Sequence, residues 1–378
     1  AGIVVRGEGE ETLSEIYEAI KAKEDFKTIN GISYKENENL IHNPPRDLIK
    51  DLDAIPAFPY DLFEHNIDLY KDFGAIISSR GCPYSCIFCS QRLISKQRYR
   101  FLPNYRIINK IKLLVDKYHQ EKIFFVDDTF TINRKRTFAL LDEIIASGYQ
   151  KKVGFIVESR GKEITWELLM KMKEANVVSI VFGVETGSER MMSKINKGET
   201  VEDNINGIKL THKAGIATDS SFVMGLPTET KEDRKLSSKL ARELPLDGAR
   251  FNIAIPYPGT EFYKIAQKEG RLNISDDWIN FSNQHYMSSD DIPYTPANTS
   301  SIELVYDTFM ANLRFSLKPR NLIKILFSPF LTGGTVFSIP KNWYASPKMW
   351  FAIIKLSTYI VKRYIMILMK RGMLFFSD

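Results

Sequence analysis

From Gly74 onward the chain repeats one alternation six times: a short apolar run, then a stretch with helical periodicity. The runs are Ala75-Ile76-Ile77-Ser78-Ser79, Ile123–Val126, Val153–Val157, Val177–Val184, Ser220–Met224 and Phe251–Ile255. Between them, Ile107 to Tyr118 carries Ile108, Ile111 and Val115 on one stripe, and helices are predicted over Arg134 to Ala146, Trp166–Ala175, a turn near Glu189, Val201–Ala214, Lys231–Leu244 and Glu261–Lys268. Near-continuous apolar strands are buried on both faces, which means a parallel sheet covered by helices. Right-handed crossovers then leave an open doubly wound sheet or a barrel, and the pattern does not choose between them. In either case polar residues at the carboxyl ends of the strands are where function is sought.

The first such end carries all three cysteines of the 378-residue chain, within Gly81-Cys82-Pro83-Tyr84-Ser85-Cys86-Ile87-Phe88-Cys89-Ser90. A disulfide would leave one thiol over, and an otherwise Cys-free chain reads as cytosolic rather than stapled. Metal binding is the better reading. Structural zinc wants four closed ligands and no His lies in the loop, although His65 or His119 could fold back to complete a set. Three thiolates at C-x3-C-x2-C can instead each bind one iron of a [4Fe–4S] cube, leaving the fourth iron open.

Cys82-x3-Cys86-x2-Cys89, with Phe88 just before the last Cys, resembles the radical S-adenosylmethionine (SAM) superfamily. The resemblance implies an α/β fold, a partial (β/α)6 TIM-type barrel over residues 71–270, with Cys82, Cys86 and Cys89 as metal ligands. It implies that the open iron chelates the amino and carboxylate groups of SAM. One electron, from reduced ferredoxin or flavodoxin, would then cleave SAM to a 5′-deoxyadenosyl radical that attacks an unreactive C–H bond. Residues matching the family's SAM contacts are Phe88, Asp127 and Asp128 after the second strand, Glu185 for the ribose, and Gly225 and Pro258 at the adenine-binding strand ends. Asp127-Asp128 departs from the commoner Gly-Gly-Glu stretch, and capping of the next helix would explain either Asp without a ligand. Capping equally explains Thr186 or Ser188. The third strand end offers Glu158-Ser159-Arg160, with no role assigned beyond a reserve ribose ligand in Glu158.

Residues 1–70 resemble the end of a cobalamin-binding domain and its linker. Ile3-Val4-Val5 reads as a strand, and a helix is predicted from a capping Thr12 with Glu15 three on, burying Leu13, Ile16, Tyr17 and Ile20. The chain is therefore expected to begin inside that domain, and to bind no cobalamin with a single βα unit of it; cobalamin is left to the full-length protein. His42 reads as ordinary surface. Within the cobalamin-linked subfamily methyl transfer is the expected outcome, with ring formation, oxidation or sulfur insertion as alternatives. Outside enzymes the alternative is an iron–sulfur or zinc protein.

Composition sets the remaining bounds. At 44% hydrophobic and 26% charged the chain is globular, with no signal-peptide pattern, so a cytoplasmic location is expected. The net charge of +6 is concentrated: residues 318–378 hold ten Lys or Arg against one acid, leaving 42 basic and 45 acidic residues before them. The body is mildly acidic, and nucleic acid is not an expected partner. Residues 271–378 form an extension in which Asp276–Pro296 is expected to cover the open end of the barrel. Tyr286 and Met287 are placed equally well facing a small-molecule or lipid-like substrate or in the core. No charge-free run after 318 reaches the eighteen residues a membrane span needs. As a helix, Lys348–Lys370 gathers Lys355, Lys362, Arg363 and Lys370 opposite Ile353, Leu356, Ile360, Tyr364, Ile367 and Leu368. Such a helix either docks on the body or attaches peripherally to anionic lipid.

Overall fold

The computed structural model describes residues 2–66, 74–275, 278–282, 285–287, 289–321 and 361–372. Strand β1 (Ile3–Val5), helix α1 (Glu10–Ala22) and the hairpin β2 (Ile32–Glu36) and β3 (Asn39–His42) form an N-terminal piece around Ile16, Ile29, Ile32 and Tyr34. The helix starts at Glu10 behind Gly9, so Thr12 is not its cap. Its inner face is Thr12, Ile16 and Ala19, while Leu13, Tyr17 and Ile20 are exposed, against the expected stripe. The buried Glu8 carboxylate ties this piece to the rest of the chain, accepting from Arg100 at 2.8 and 2.9 Å, Arg80 at 3.1 Å and the Ile49 N–H at 2.8 Å. Burial works against its charge, but these donors outweigh it and hold its pKa low.

The first predicted strand is interrupted. Strand β4 (Ala75–Ile76) joins the main sheet, and β5 (Ser79–Arg80) turns away to pair with β6 (Arg100–Phe101), enclosing the cysteine loop and the short helix α2 (Gln91–Ser95). The repeating units come next: α3 (Asn104–Asp116), β7 (Lys122–Phe125), α4 (Arg134–Ser147), β8 (Gly154–Ser159), α5 (Trp166–Glu174), β9 (Val177–Glu185), α6 (Glu189–Lys194), α7 (Val201–Lys213), β10 (Ala217–Met224), α8 (Lys231–Glu243), β11 (Gly248–Ile253), α9 (Glu261–Lys268) and α10 (Ser301–Ser316).

The main sheet pairs in the order β4-β7-β8-β9-β10-β11, all parallel. A doubly wound sheet reverses its order at a switch point. Here the chain steps one strand at a time in one direction, the winding of a partial barrel. Among the described residues the first and last strands do not pair, so the barrel stays open along that seam.

Local chemistry fixes where the helices begin. Asn133, Thr165, Ser188, Thr200, Thr230 and Thr260 each accept a backbone N–H of the first turn, and Thr200 with Asp203 and Thr230 with Asp233 form full capping boxes. Asn133 caps the helix after β7, so neither Asp127 nor Asp128 is spent there. Ser188, not Thr186, caps α6. Residues Phe125, Val157, Ile180, Phe222 and Phe251 point from the sheet into one core shared with Leu140, Leu169, Ile208 and Leu304. The alternate residues Phe124, Glu158, Val181, Gly183, Asp219, Ser221, Arg250 and Asn252 face the lumen.

Strand β11 is an edge, and its Phe251 backbone is satisfied from outside. Asn312 on α10 accepts the Phe251 N–H at 3.1 Å and donates to its carbonyl at 2.9 Å, joined by the Tyr286 hydroxyl at 3.0 Å. Tyr286 is therefore core, as is Met287 packed beside it. Of the predicted Lys348–Lys370 helix only the end lies in the described residues, where 361–372 is helical. Ile367 is fully buried and Tyr364 stacks on Phe309 at 6.0 Å. Arg363, expected on the polar face, is 2% exposed and donates to the Tyr286 carbonyl, and Leu368 is exposed. A guanidinium can stay charged inside when carbonyls receive it, which helical periodicity does not reveal. No helix among the described residues is long and apolar enough to cross a membrane.

Candidate active site

The cysteine loop follows directly on β5 and is fixed on several sides. Gly81 sits at φ +89°, and a Cβ there would lie 2.1 Å from the Arg98 carbonyl oxygen, so only glycine turns the chain this way. Behind it, Asp127 is 1% exposed and accepts the N–H groups of Ser78 and Ser79 at 2.6 and 3.2 Å, together with both serine hydroxyls. Asp128 accepts the Gly81 N–H at 3.0 Å and the Gln91 amide at 2.7 Å. Further along, the Ile87 N–H reaches the Ile195 carbonyl at 3.1 Å, and the Ile87 carbonyl accepts from Phe262 at 3.0 Å.

Cys82, Cys86 and Cys89 carry no disulfide and line one cavity of about 670 Å³ with Phe88, Asp128, Glu158, Glu185 and Lys197. Burial raises the pKa of all three thiols, that of Cys86 to about 11. No three His, Cys, Asp or Glu side chains among the described residues converge on a single ion. A cube does not need them to, because each thiolate takes a different iron. Three unpaired thiols on one rigid loop, facing a cavity, fit the cluster; when bound it would supply one-electron reduction at an open iron.

Opposite the loop is a buried charge cluster in which Glu185, expected from the sequence, meets Lys197 and Glu199. Glu185 ends β9 at φ +63°, a left-handed conformation costly for a side chain, and such strain collects at functional sites. Its carboxylate meets Lys197 Nζ at 3.1 Å, which also meets Glu199 at 3.2 Å and the Gly183 carbonyl. Burial opposes the Lys197 charge, but Glu185 and Glu199 outweigh it and raise its pKa. A Cβ at Gly183 would strike Glu185 Oε1 at 2.6 Å and Lys197 Nζ at 2.9 Å. Arg160, also buried, donates to the Lys197 carbonyl and lies 3.5 Å from the centre of the Tyr84 ring, inside the cysteine loop. The Tyr84 hydroxyl donates to Glu163 at 2.8 Å. The loop is thereby clasped to the third and fourth strand ends. Lys197 lies beyond α6, 12 residues after Glu185, and gains its role only where the two stretches meet.

Of the predicted SAM contacts, Phe88, Asp128 and Glu185 face the cavity with the thiols. Asp127 does not; its carboxylate is spent on Ser78 and Ser79. Gly225 and Pro258 stand at the ends of β10 and β11 but outside the cavity lining. The Gly225 N–H is taken by Glu229 at 2.5 Å, and Pro258 is exposed.

A parallel, singly wound sheet with a three-cysteine loop after its first strand defines an enzyme class, and comparison with known proteins gives the same one. Residues 76–241 match the Radical SAM superfamily model. An uncharacterized methyltransferase of Pyrococcus horikoshii is 35% identical over 86% of this chain and 69% of its own length. The chain belongs to the radical SAM superfamily and is an enzyme of its methyltransferase-like branch. The anaerobic magnesium-protoporphyrin IX monomethyl ester cyclase of Cereibacter sphaeroides is 28% identical over 69% of this chain, which spans 44% of that relative. In fold it is similar to the radical SAM methyltransferase TsrM from Kitasatospora setae, at TM-score 0.66 and 16% identity, covering 85% of this chain and 69% of that one; TsrM was solved with cobalamin and a [4Fe-4S] cluster bound.

Proposed function

We propose that the protein reductively cleaves SAM at a [4Fe–4S] cluster on Cys82, Cys86 and Cys89 and transfers a methyl group to an unactivated carbon. The observation that carries this reading is that three unpaired thiols share one cavity with Asp128, Glu185 and Lys197, in a chain with a methyltransferase relative. Asp128 is assigned to the SAM amino group and Glu185 to the ribose hydroxyls, which a carboxylate held by one cation can still accept. Phe88 supplies an apolar wall, and Gly225 and Pro258 are proposed for the rim on the adenine side. Residues 1–70 are read as the close of a cobalamin-binding domain and its linker, with cobalamin the proposed methyl carrier. Reduced ferredoxin or flavodoxin is the proposed donor and the cytoplasm the proposed location. Peripheral contact with anionic lipid through residues 318–378 would suit a lipid-like substrate.

The test is anaerobic reconstitution, counting iron and measuring 5′-deoxyadenosine from SAM under dithionite. About four irons and cleavage are expected from one cube. A ring-forming reaction is the second reading, favoured by the Cereibacter relative. With cobalamin supplied, S-adenosylhomocysteine formed alongside 5′-deoxyadenosine marks methyl transfer, and 5′-deoxyadenosine alone marks the second reading.

A further inference from the structure

One carboxyl in the lumen stands apart from the contacts of the cysteine loop and the Lys197 cluster. Glu158 lies on the lumen face of β8, paired in register with Val181, which in turn pairs with Asp219. It lines the same cavity as the three thiols. The other carboxylates that line the cavity are engaged: Asp128 by Gly81 and Gln91, Glu185 by Lys197, Asp219 by Ser179 at 3.1 Å, and Asp247 by the Thr218 N–H at 2.9 Å. Among the described residues no hydrogen bond or ion pair reaches the Glu158 carboxyl. We propose that Glu158 is the counter-charge for the sulfonium of SAM, and that SAM binding is coupled to release of a proton from it. This rests on the SAM-binding reading above.

A sulfonium has no hydrogen to donate, so it can be held only by an electric field. A partly buried carboxylate without a donor of its own suits that task, and a cavity without the ligand leaves it uncompensated. The charged groups that line the cavity with Glu158 are Asp128 from the β7 end, Arg160 from its own strand end, Glu185 from β9, Lys197 beyond α6, Asp219 from β10, Asp247 just before β11 and Arg250 from β11, together with the thiols. Burial first, then Glu185, Asp128 and Asp127, raise its pKa to about 7, while Lys197 opposes them. At low pH Glu158 is therefore neutral and at high pH a carboxylate. A cation favours the carboxylate, so SAM binding tightens as pH rises through about 7.

The experiment is calorimetry of SAM on the anaerobically reconstituted protein at pH 7, in two buffers of different ionisation enthalpy, for wild type and Glu158→Gln. A group with its pKa near the working pH is half protonated, so Glu158 should release about half a proton per SAM, and Glu158→Gln should lose that half. Protons lost from the SAM amino group are common to both proteins and cancel. Between pH 6 and 8 wild-type affinity should rise about fivefold more than that of the variant, for a one-unit fall in the Glu158 pKa. S-adenosylhomocysteine, which lacks the positive sulfur, should show no such difference between the proteins. Equal proton release and equal pH slopes in two proteins that hold the same iron would overturn the inference and leave the SAM reading standing. Protein that holds four irons but binds no SAM would overturn both. Should Glu158→Gln fail to hold iron, wild type alone decides: SAM and S-adenosylhomocysteine affinities with the same pH slope count against the coupling.

Discussion

The two walls of the lumen are built on different plans. On the side of β4, β7, β8 and β9 the polar groups near the cysteines are locked, Glu158 excepted: Asp127 takes four donors, Asp128 two, and Lys197 sits between two carboxylates. On the side of β10 and β11 the lumen residues Ser221 and Asn252 make no side-chain hydrogen bond among the described residues, and Arg250 is exposed. A reaction that always uses the same cofactors needs the first wall rigid, since small displacements of reacting groups cost large factors in rate. The second wall is free to differ with substrate. If this division is right, substitutions should lose less and less as they move from the first wall to the second.

The largest loss is expected at the thiols. Cys82→Ala, Cys86→Ala or Cys89→Ala should each abolish both the cluster absorbance and 5′-deoxyadenosine formation; one such variant with full cleavage would end the assignment. Next comes Lys197→Met, which leaves Glu185 and Glu199 buried without their cation. Breaking a buried pair costs about 3–5 kcal/mol, so the thermal midpoint should fall well below that of wild type. An unchanged midpoint would mean that this wall is not locked by charge.

The adjacent acids sharpen the comparison. Asp127→Ala strands the N–H groups of two buried serines and should destabilise the fold by about 3 kcal/mol, from the cost of unpaired buried donors. Asp128→Asn keeps an acceptor for the Gly81 N–H and should leave stability nearly unchanged while weakening SAM binding. The opposite pattern in a denaturation series would exchange their roles. Glu185→Gln should keep iron and weaken SAM by about 1.5–3 kcal/mol, the scale of a charge-assisted hydrogen bond. Unchanged affinity by calorimetry would move the ribose contact elsewhere.

Part of this was legible in the sequence, and the reason lies in which interactions are local. Capping residues act within three positions, so α7, α8 and α9 begin where Thr200, Thr230 and Thr260 place them. The cysteine spacing is likewise local, and Glu185 comes directly at a strand end. Strand order is not local, which is why the alternation left two windings open until β4 through β11 were seen paired in sequence. Lys197, Arg160 and Tyr84 become site residues only because loops far apart in sequence meet. Asp127 and Asp128 look identical as letters; alternation along the chain sends one under the loop and the other into the cavity. At α1 the visible stripe misled, since Leu13, Tyr17 and Ile20 share a helical face that the described residues leave exposed.

The smallest effect is expected on the second wall, at Asn252. Its side chain faces the lumen from the last strand, partly buried, with no hydrogen bond of its own among the described residues. Removing a polar group that pairs with nothing strands no partner, so Asn252→Ala should change stability by less than about 0.5 kcal/mol, the range of substitutions outside packed or paired sites. Iron content and uncoupled cleavage of SAM should also match wild type, because Asn252 pairs with neither the cysteine loop nor the Lys197 cluster. What should change is the fate of the radical once substrate is present: the ratio of product to 5′-deoxyadenosine falls when substrate is held less well at the reacting distance. A fall in that ratio at constant cleavage rate would assign β11 to substrate. A fall in SAM cleavage itself would show that the two walls act as one, and the division drawn between them would not stand.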